Sequence, residues 1–302
     1  MLLAGVNILT IRLNANLIHG LLLTLLSSVA YGTVAILIKL AYSNNMQVMD
    51  ILLVRYVVAT ICVFIFSIWK NPSFLRIKRS AFWKIIIVSS LFFIQSLLFY
   101  QSLKYLPVST TVLIVYLNPV LISLFSILLL KKRISHLFIA ALVLVIVGSS
   151  FIFFDAFSRQ LNILGIGLAI ATLIISAFSW IVVEKSLREI NPLSSLFYTF
   201  LFMAILFGFN GRVANLLSWN ANQLVVGFSL GLVPTAMSGI CFYLAIEKIG
   251  VAYASLFSSF EPVFALIAAY FFLKEDIVNY QWIGSLLIVA GIILPNLTRN
   301  DL

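Results

Sequence analysis

The sequence predicts an all-α integral membrane protein of ten transmembrane helices built as two inverted five-helix repeats. Three observations carry that prediction. The 302 residues are 63% hydrophobic and 9% charged, against about 25% charged in soluble domains. Ten apolar runs each approach or exceed the ~20 residues that a helix needs to cross a bilayer. An offset of 143 residues then lays much of the first half on the second without a gap.

The runs occupy residues 17–40, 48–69, 82–103, 107–130, 134–154, 161–183, 192–209, 222–246, 251–273 and 279–297. Short connections separate them and carry the punctuation of helix ends: Asn71-Pro72, Pro107 opening the fourth run and Asn191-Pro192 opening the seventh. Residues 1–16 hold Arg12, Asn14 and Asn16 and no small-residue cleavage pattern, so they are not read as a cleaved signal peptide. Cys62 and Cys241 lie in separate runs, without a disulfide framework or metal-ligand spacing, and read as packing residues. No cofactor is implied.

A net charge of +10, from 19 Lys and Arg against 9 Asp and Glu, raises nucleic acid as a partner. The basic residues fall instead in short loops between apolar runs, which makes them a topology signal and excludes a nucleic-acid surface. With a cytoplasmic N-terminus, Arg12, Lys70, Arg76, Lys78, Arg79, Lys84, Lys131, Lys132, Arg133, Lys185, Arg188, Lys248 and Arg299 lie inside, and only Lys104, Arg159, Arg212 and Lys274 lie outside. Both termini are therefore expected in the cytoplasm, with the chain in a bacterial inner or plasma membrane.

The 143-residue offset matches Phe99-Tyr100 with Phe242-Tyr243, Val108 with Val251, Leu113 with Leu256, Pro119-Val120 with Pro262-Val263, Leu130-Lys131 with Leu273-Lys274, Ile134 with Ile277, Leu144 with Leu287 and Gly148 with Gly291. For the first helix of each half the offset is 148, pairing Thr24, Ser28 and Tyr31 with Thr172, Ser176 and Ser179. The halves are residues 1–154 and 155–302 of one membrane domain. Five helices is an odd number, so the second half enters the membrane from the opposite side and the repeats are inverted. Secondary transporters commonly have this design, with substrate near the midplane between the halves.

Arg55-Tyr56, Phe99-Tyr100, Asn118-Pro119-Val120, Glu261-Pro262-Val263 and the Leu273-Lys274-Glu275 exit followed by Gly284 and Gly291 resemble the EamA-type members of the drug/metabolite transporter superfamily. The likeness covers nearly the whole chain. It implies the five-plus-five fold and a transported metabolite, in a family of amino-acid and metabolite exporters, drug-efflux proteins and related nucleotide-sugar carriers. This chain departs from the pattern at Asn118 and at Lys132-Arg133, where the family often has Glu.

Glu261 is the deepest of the nine acids, eleven residues into its run, where a carboxylate costs ~2.5–3.5 kcal/mol on insertion scales. It either titrates or binds a cationic group during transport, or it is a buried acid capped by hydroxyls that fixes packing. Pro262 frees the Ser258 carbonyl as a further acceptor. Asn118 is the neutral counterpart, for substrate contact or an interhelical hydrogen bond, and Pro119 and Pro262 are matched kinks or gating points. The stripes Thr24/Ser28/Tyr31 and Thr172/Ser176/Ser179, with Trp180, either line a cavity or allow close packing. Gln95, Tyr100, Tyr116, Tyr198 and Tyr243 complete the candidate lining. Lys39 is expected to snorkel to the membrane surface; Arg55 either snorkels outward to lipid head groups or pairs with Asp50, five residues earlier and off ideal helical spacing.

These features predict a secondary transporter for a small organic solute, an amino acid or similar amphipathic zwitterion, working by alternating access with proton coupling or exchange. One chain suffices for a pathway, with lipid as its surroundings. A structural or regulatory membrane subunit is the alternative. An enzyme is disfavoured, because His19 and His136 are far apart and no P-loop, Gly-x-Ser-x-Gly or paired deep carboxylates occur.

Overall fold

In the computed structural model, the residues described are 15–70, 77, 79–106, 108–154, 162–210, 218–268, 270–271 and 278–294. They form α1 (Ala15–Gly32), α2 (Val34–Ser43), α3 (Val48–Lys70), α4 (Arg79–Ser102), α5 (Val108–Val115), α6 (Asn118–Leu130), α7 (His136–Ile152), α8 (Ile163–Leu187) and α9 (Pro192–Asn210). There follow α10 (Ala221–Gly231), a π-helical turn (Leu232–Met237), α11 (Ser238–Ser258), α12 (Glu261–Ala268) and α13 (Asn279–Ile293). The segment 1–14, the loop position Ser73 and the Lys274-Glu275-Asp276 exit lie outside the described residues, as does the Lys39 side chain.

Among the described residues, seven helical stretches are long and apolar enough to cross a membrane, and α7 and α13 are shorter apolar helices. One stretch, Ala221–Ser258, divides at Gly250, whose φ of 75° and ψ of 162° leave the helical region. Ten apolar helical segments result, as the ten runs predict. Large apolar side chains such as Trp69, Ile163 and Phe209 stand on the outside of the bundle, the surface that lipid tails solvate.

The helices meet across the middle of the sequence. The first segment (α1) packs on α11 and α12, and the sixth (α8) packs on α4, α5 and α6; α3 packs on α9 and α7 on α13. Exchanging the first five segments with the last five turns the α1 pairings into those of α8 and maps α3–α9 and α7–α13 each onto itself. The α7–α13 seam is a close approach of main chains. A Cβ on Gly148 would come within 2.6 Å of the Gly284 carbonyl oxygen, one on Gly284 within 2.5 Å of the Gly148 oxygen, and one on Gly291 within 3.0 Å of the Ala141 oxygen. Ala141 faces Gly291 and Gly148 faces Gly284, so the two helices run antiparallel.

The turn at Gly250 is held at one end of the bundle. Lys132, just past α6, pairs with Glu184 of α8, and the other Glu184 oxygen accepts the Val251 N–H at 2.9 Å. Lys84 of α4 pairs with Glu189 beyond α8. At the opposite end, the Gln223 amide donates to the Asn44 carbonyl at 2.9 Å.

Two consequences are measurable as thermal unfolding in detergent. Gly284→Leu forces apart two backbones and is expected to lower stability by about 1–3 kcal/mol, whereas Gly167→Ala, with nothing within 4 Å of the new Cβ, is expected to be neutral or better. Glu184→Leu strands the Val251 N–H and Lys132 together and is expected to cost ~1.5–3 kcal/mol, the range for hydrogen bonds to charged groups.

Candidate functional site

The fourth and ninth segments are both interrupted just before a proline. Helix α5 ends at Val115 and α6 starts at Asn118; α11 ends at Ser258 and α12 starts at Glu261. Proline at the second helical position has no N–H to give, so the preceding turn tightens to i−3 hydrogen bonds. Leu117 donates to Ile114 at 3.1 Å and Val120 to Leu117 at 3.0 Å; Ser259 donates to Leu256 at 3.2 Å and Phe260 to Phe257 at 3.3 Å. Asn118 and Glu261 thus open half-helices inside the bundle. The positive end of α12 offsets part of the cost of the Glu261 carboxylate.

Each polar residue is held from the other half. Tyr116 donates its hydroxyl proton to Glu261 Oε1 at 2.9 Å, and Asn118 Nδ2 donates to Ser176 Oγ at 3.0 Å, while the buried Asn118 Oδ1 has no hydrogen-bond partner among the described residues. Pro262 leaves the Ser258 carbonyl without a helical donor, and Ser28 reaches it at 3.4 Å. Gly32 lets α1 approach this break, since a Cβ there would lie 2.8 Å from Phe264 and 3.4 Å from the Glu261 carbonyl oxygen.

The structure corrects the expectation for Arg55. It does not snorkel: the residue is 8% exposed, and its Nε donates to Thr235 Oγ1 at 2.6 Å. Its guanidinium lies 5.7 Å from the ring centre of Tyr31 and 5.9 Å from that of Tyr56. The sequence offered Arg55 only Asp50, five residues earlier and off ideal helical spacing, and could not point to Thr235, which is 180 residues away. Thr235 is turned toward it by the π-helical turn around Pro234. Pro234 cannot donate to the Leu230 carbonyl four residues back, and the Thr235 hydroxyl donates to it instead at 2.7 Å. By the 143-residue offset Pro234 corresponds to Leu91, which lies inside the unbroken α4, so this break has no match in the first half.

The other candidates divide. Tyr31, Tyr100 and Tyr116 gather around Arg55 and Glu261. The Thr24 and Ser28 hydroxyls donate to Gly20 and Thr24 of their own helix at 2.8 and 2.9 Å, which suits them to the close packing of α1 on α11, where Ser27 bonds Ser238 Oγ at 2.9 Å. Trp180 and Tyr243 form an aromatic cluster with Phe92 and Phe242, with Trp180 centroids 5.0 Å from Phe92 and 4.8 Å from Phe242. Tyr198 packs beside Phe197 and with the Ile85–Ile190 cluster. Gln95 is half-buried on α4. Among the described residues, no group of three His, Cys, Asp or Glu side chains comes together as a metal site.

Ten apolar segments, paired across the two halves around interrupted helices and buried charges of both signs, define a membrane transporter. By sequence profile, the EamA-like transporter family matches residues 18–154 and again 163–297. The chain belongs to the EamA-like transporter family and is an integral membrane protein. It is 25% identical over 230 residues to the uncharacterized transporter YvbV of Bacillus subtilis, covering 74% of each chain. To the uncharacterized transporter sll1164 of Synechocystis it is 27% identical over 215 residues, 65% of this chain and 60% of that one. A protein of known crystal structure superposes with a TM-score of 0.75 over 91% of this chain and 96% of its own length at 16% identity, a likeness of fold alone.

Tyr116→Phe removes the hydroxyl from the Glu261 carboxylate and is expected to lower thermal stability by ~1.5–3 kcal/mol if Glu261 is ionised. With Glu261→Gln the same Tyr116 change is expected to cost about 0.5–1.5 kcal/mol, the neutral value. A double-mutant cycle read by thermal unfolding in detergent measures the difference.

Proposed function

We propose that the protein is a secondary transporter of a small organic solute, an amino acid or a similar amphipathic zwitterion, which binds between the two halves beside Glu261. The observation that carries the reading is the Tyr116–Glu261 hydrogen bond at matched helix breaks. Discontinuous helices with polar termini at mid-membrane are how transporters present binding groups to a substrate. The antiparallel α7–α13 seam supports an inverted relation: Ala141 and Gly148 correspond by the 143-residue offset to Gly284 and Gly291, and the contacts exchange under that mapping. A two-fold axis that exchanges antiparallel helices is perpendicular to them, in the membrane plane. The halves divide at residues 154 and 155, and the Lys and Arg distribution puts both termini in the cytoplasm of a bacterial cell. Glu261 carries the coupling proton; Tyr116, Tyr31 and Arg55 are the polar groups around it. Asn118 in the matched position has no charge to titrate.

One observation favours the alternative, a non-transporting structural subunit: the Tyr116–Glu261 and Asn118–Ser176 bonds are polar contacts between the halves, as packing alone would require. Counterflow in proteoliposomes over a panel of metabolites, with and without a pH gradient, separates the two. Exchange of a zwitterionic solute is expected, and exchange of none would favour the structural subunit. In Glu261→Gln liposomes exchange is expected to persist while dependence on the pH gradient disappears; unchanged gradient dependence would remove Glu261 from coupling. A Ser73→Cys label is expected to react only from the cytoplasmic side, and labelling from outside would reverse the orientation.

A further inference from the structure

We infer that Arg55 is the anchor for a carboxylate of the transported solute, held ready for it by Thr235 and the π-helical turn; this rests on the transport reading above. Arg55 sits in α3, within a membrane-crossing segment, and is buried. A guanidinium cannot shed its charge in a protein, so it must be compensated where it lies. Lipid phosphate does not fit, because the side chain turns inward to Thr235. Nor do the described residues supply a resident counterion. Among the described residues the close ion pairs are Lys84–Glu189 and Lys132–Glu184, and neither includes Arg55. Glu261 stands nearby, since Gly32 approaches its carbonyl and the adjacent Tyr31 ring approaches the guanidinium, yet no ion pair joins it to Arg55, and its own hydrogen bond comes from Tyr116.

The protein partners of the guanidinium among the described residues are the Thr235 hydroxyl and the side chains of Tyr31 and Tyr56. Ring faces offset part of the desolvation of a cation, and a hydroxyl offsets a little more. A planar fork of five N–H donors with Nε committed to Thr235 matches a carboxylate, which accepts in the same plane with two oxygens. Among the described residues no second cation stands beside it, which suits a singly charged group better than a phosphate ester.

The orientation of the fork follows from donor bookkeeping. Thr235 has one hydroxyl proton. Arginine has no acceptor, so that proton goes to the Leu230 carbonyl, at 2.7 Å, and the oxygen's lone pair faces Arg55. Pro234 is what leaves Leu230 free to accept. Pro234, Leu230, Thr235 and Arg55 form one chain of dependence in which Thr235 is a positioning residue. With Glu261 as the opposite charge nearby, the arrangement selects a solute carrying its carboxylate toward Arg55 and its ammonium toward Glu261.

The test uses the purified full chain and a defined panel: the twenty standard amino acids, their decarboxylated amines and their deaminated carboxylates, read by thermal shift and by counterflow. At least one amino acid is expected to bind and exchange, with its decarboxylated amine at least ten-fold weaker. Arg55→Lys is expected to weaken that amino acid at least ten-fold and to leave its amine unchanged, because a point charge lacks the fork. Thr235→Val is expected to weaken the amino acid several-fold while Thr235→Ser retains it, a pattern that loss of packing would not give. If Arg55→Gln does not fold, the Arg55→Lys and Thr235 comparisons carry the test. An amino acid that exchanges equally well in Arg55→Lys, or an amine that binds as tightly as its amino acid, overturns the role of Arg55 and leaves transport standing. If no member of the panel binds or exchanges, the carboxylate assignment falls together with the zwitterion reading.

Discussion

In lipid, a main-chain N–H or C=O without a partner costs several kcal/mol, and no water is present to supply one. The structure is governed by how this chain meets that constraint where its helices break. At Pro119 and Pro262 the preceding turns tighten and find partners three residues back. At Pro262 the Ser28 hydroxyl from α1 also reaches the freed Ser258 carbonyl. At Pro234 the Thr235 hydroxyl replaces the missing amide, and at Gly250 a Glu184 oxygen receives the Val251 N–H. The side chain that closes a break is in most cases the one that ties it to another part of the fold.

That coupling explains why chemistry collects at the breaks. A continuous helix satisfies its own backbone and needs nothing polar from its neighbours. An interrupted one draws hydroxyls and charges toward it, and these need partners in turn. Glu261 acquires Tyr116, Thr235 acquires Arg55 and Glu184 acquires Lys132. Proline placement in the sequence therefore decides where the interior can be polar at all. The reciprocal glycine contacts of α7 and α13 show the opposite regime, two unbroken helices packed main chain to main chain.

Much of the fold was legible because it depends on local quantities. Run length and apolar content marked the ten segments, and repeated Pro-Val pairs marked the matched breaks. Glu261 and Asn118 were visible as polar residues adjacent to those breaks. Arg55 was not, because its fate turns on a residue in the eighth segment whose orientation is shifted by the π-helical turn. Periodicity at 3.6 residues cannot report such a shift. The hydroxyl stripe of α1 was legible as a stripe, but not in its use. Whether Ser and Thr face a cavity or bond their own backbone depends on how closely α11 approaches. The interruption of α1 at Thr33 left no proline to announce it; Gly32 precedes it, and the Thr33 N–H and hydroxyl both turn back to the Ala30 carbonyl, at 3.3 and 2.7 Å.

The π-helical turn also sets a phase. One residue more than an α-helical turn holds rotates whatever follows by about 100° relative to a continuous helix. Before the turn, Gly227 and Gly231 face Val54 and Val58 of α3; after it, Ser238 faces Ser27 of α1 and Gly239 faces Leu196 and Phe200 of α9. The eighth segment thus addresses its neighbours in two registers that no single amphipathic helix could present together. The dislocation between them is the place where the rotational settings of α10 and α11 are decoupled, and Arg55 is bonded to it.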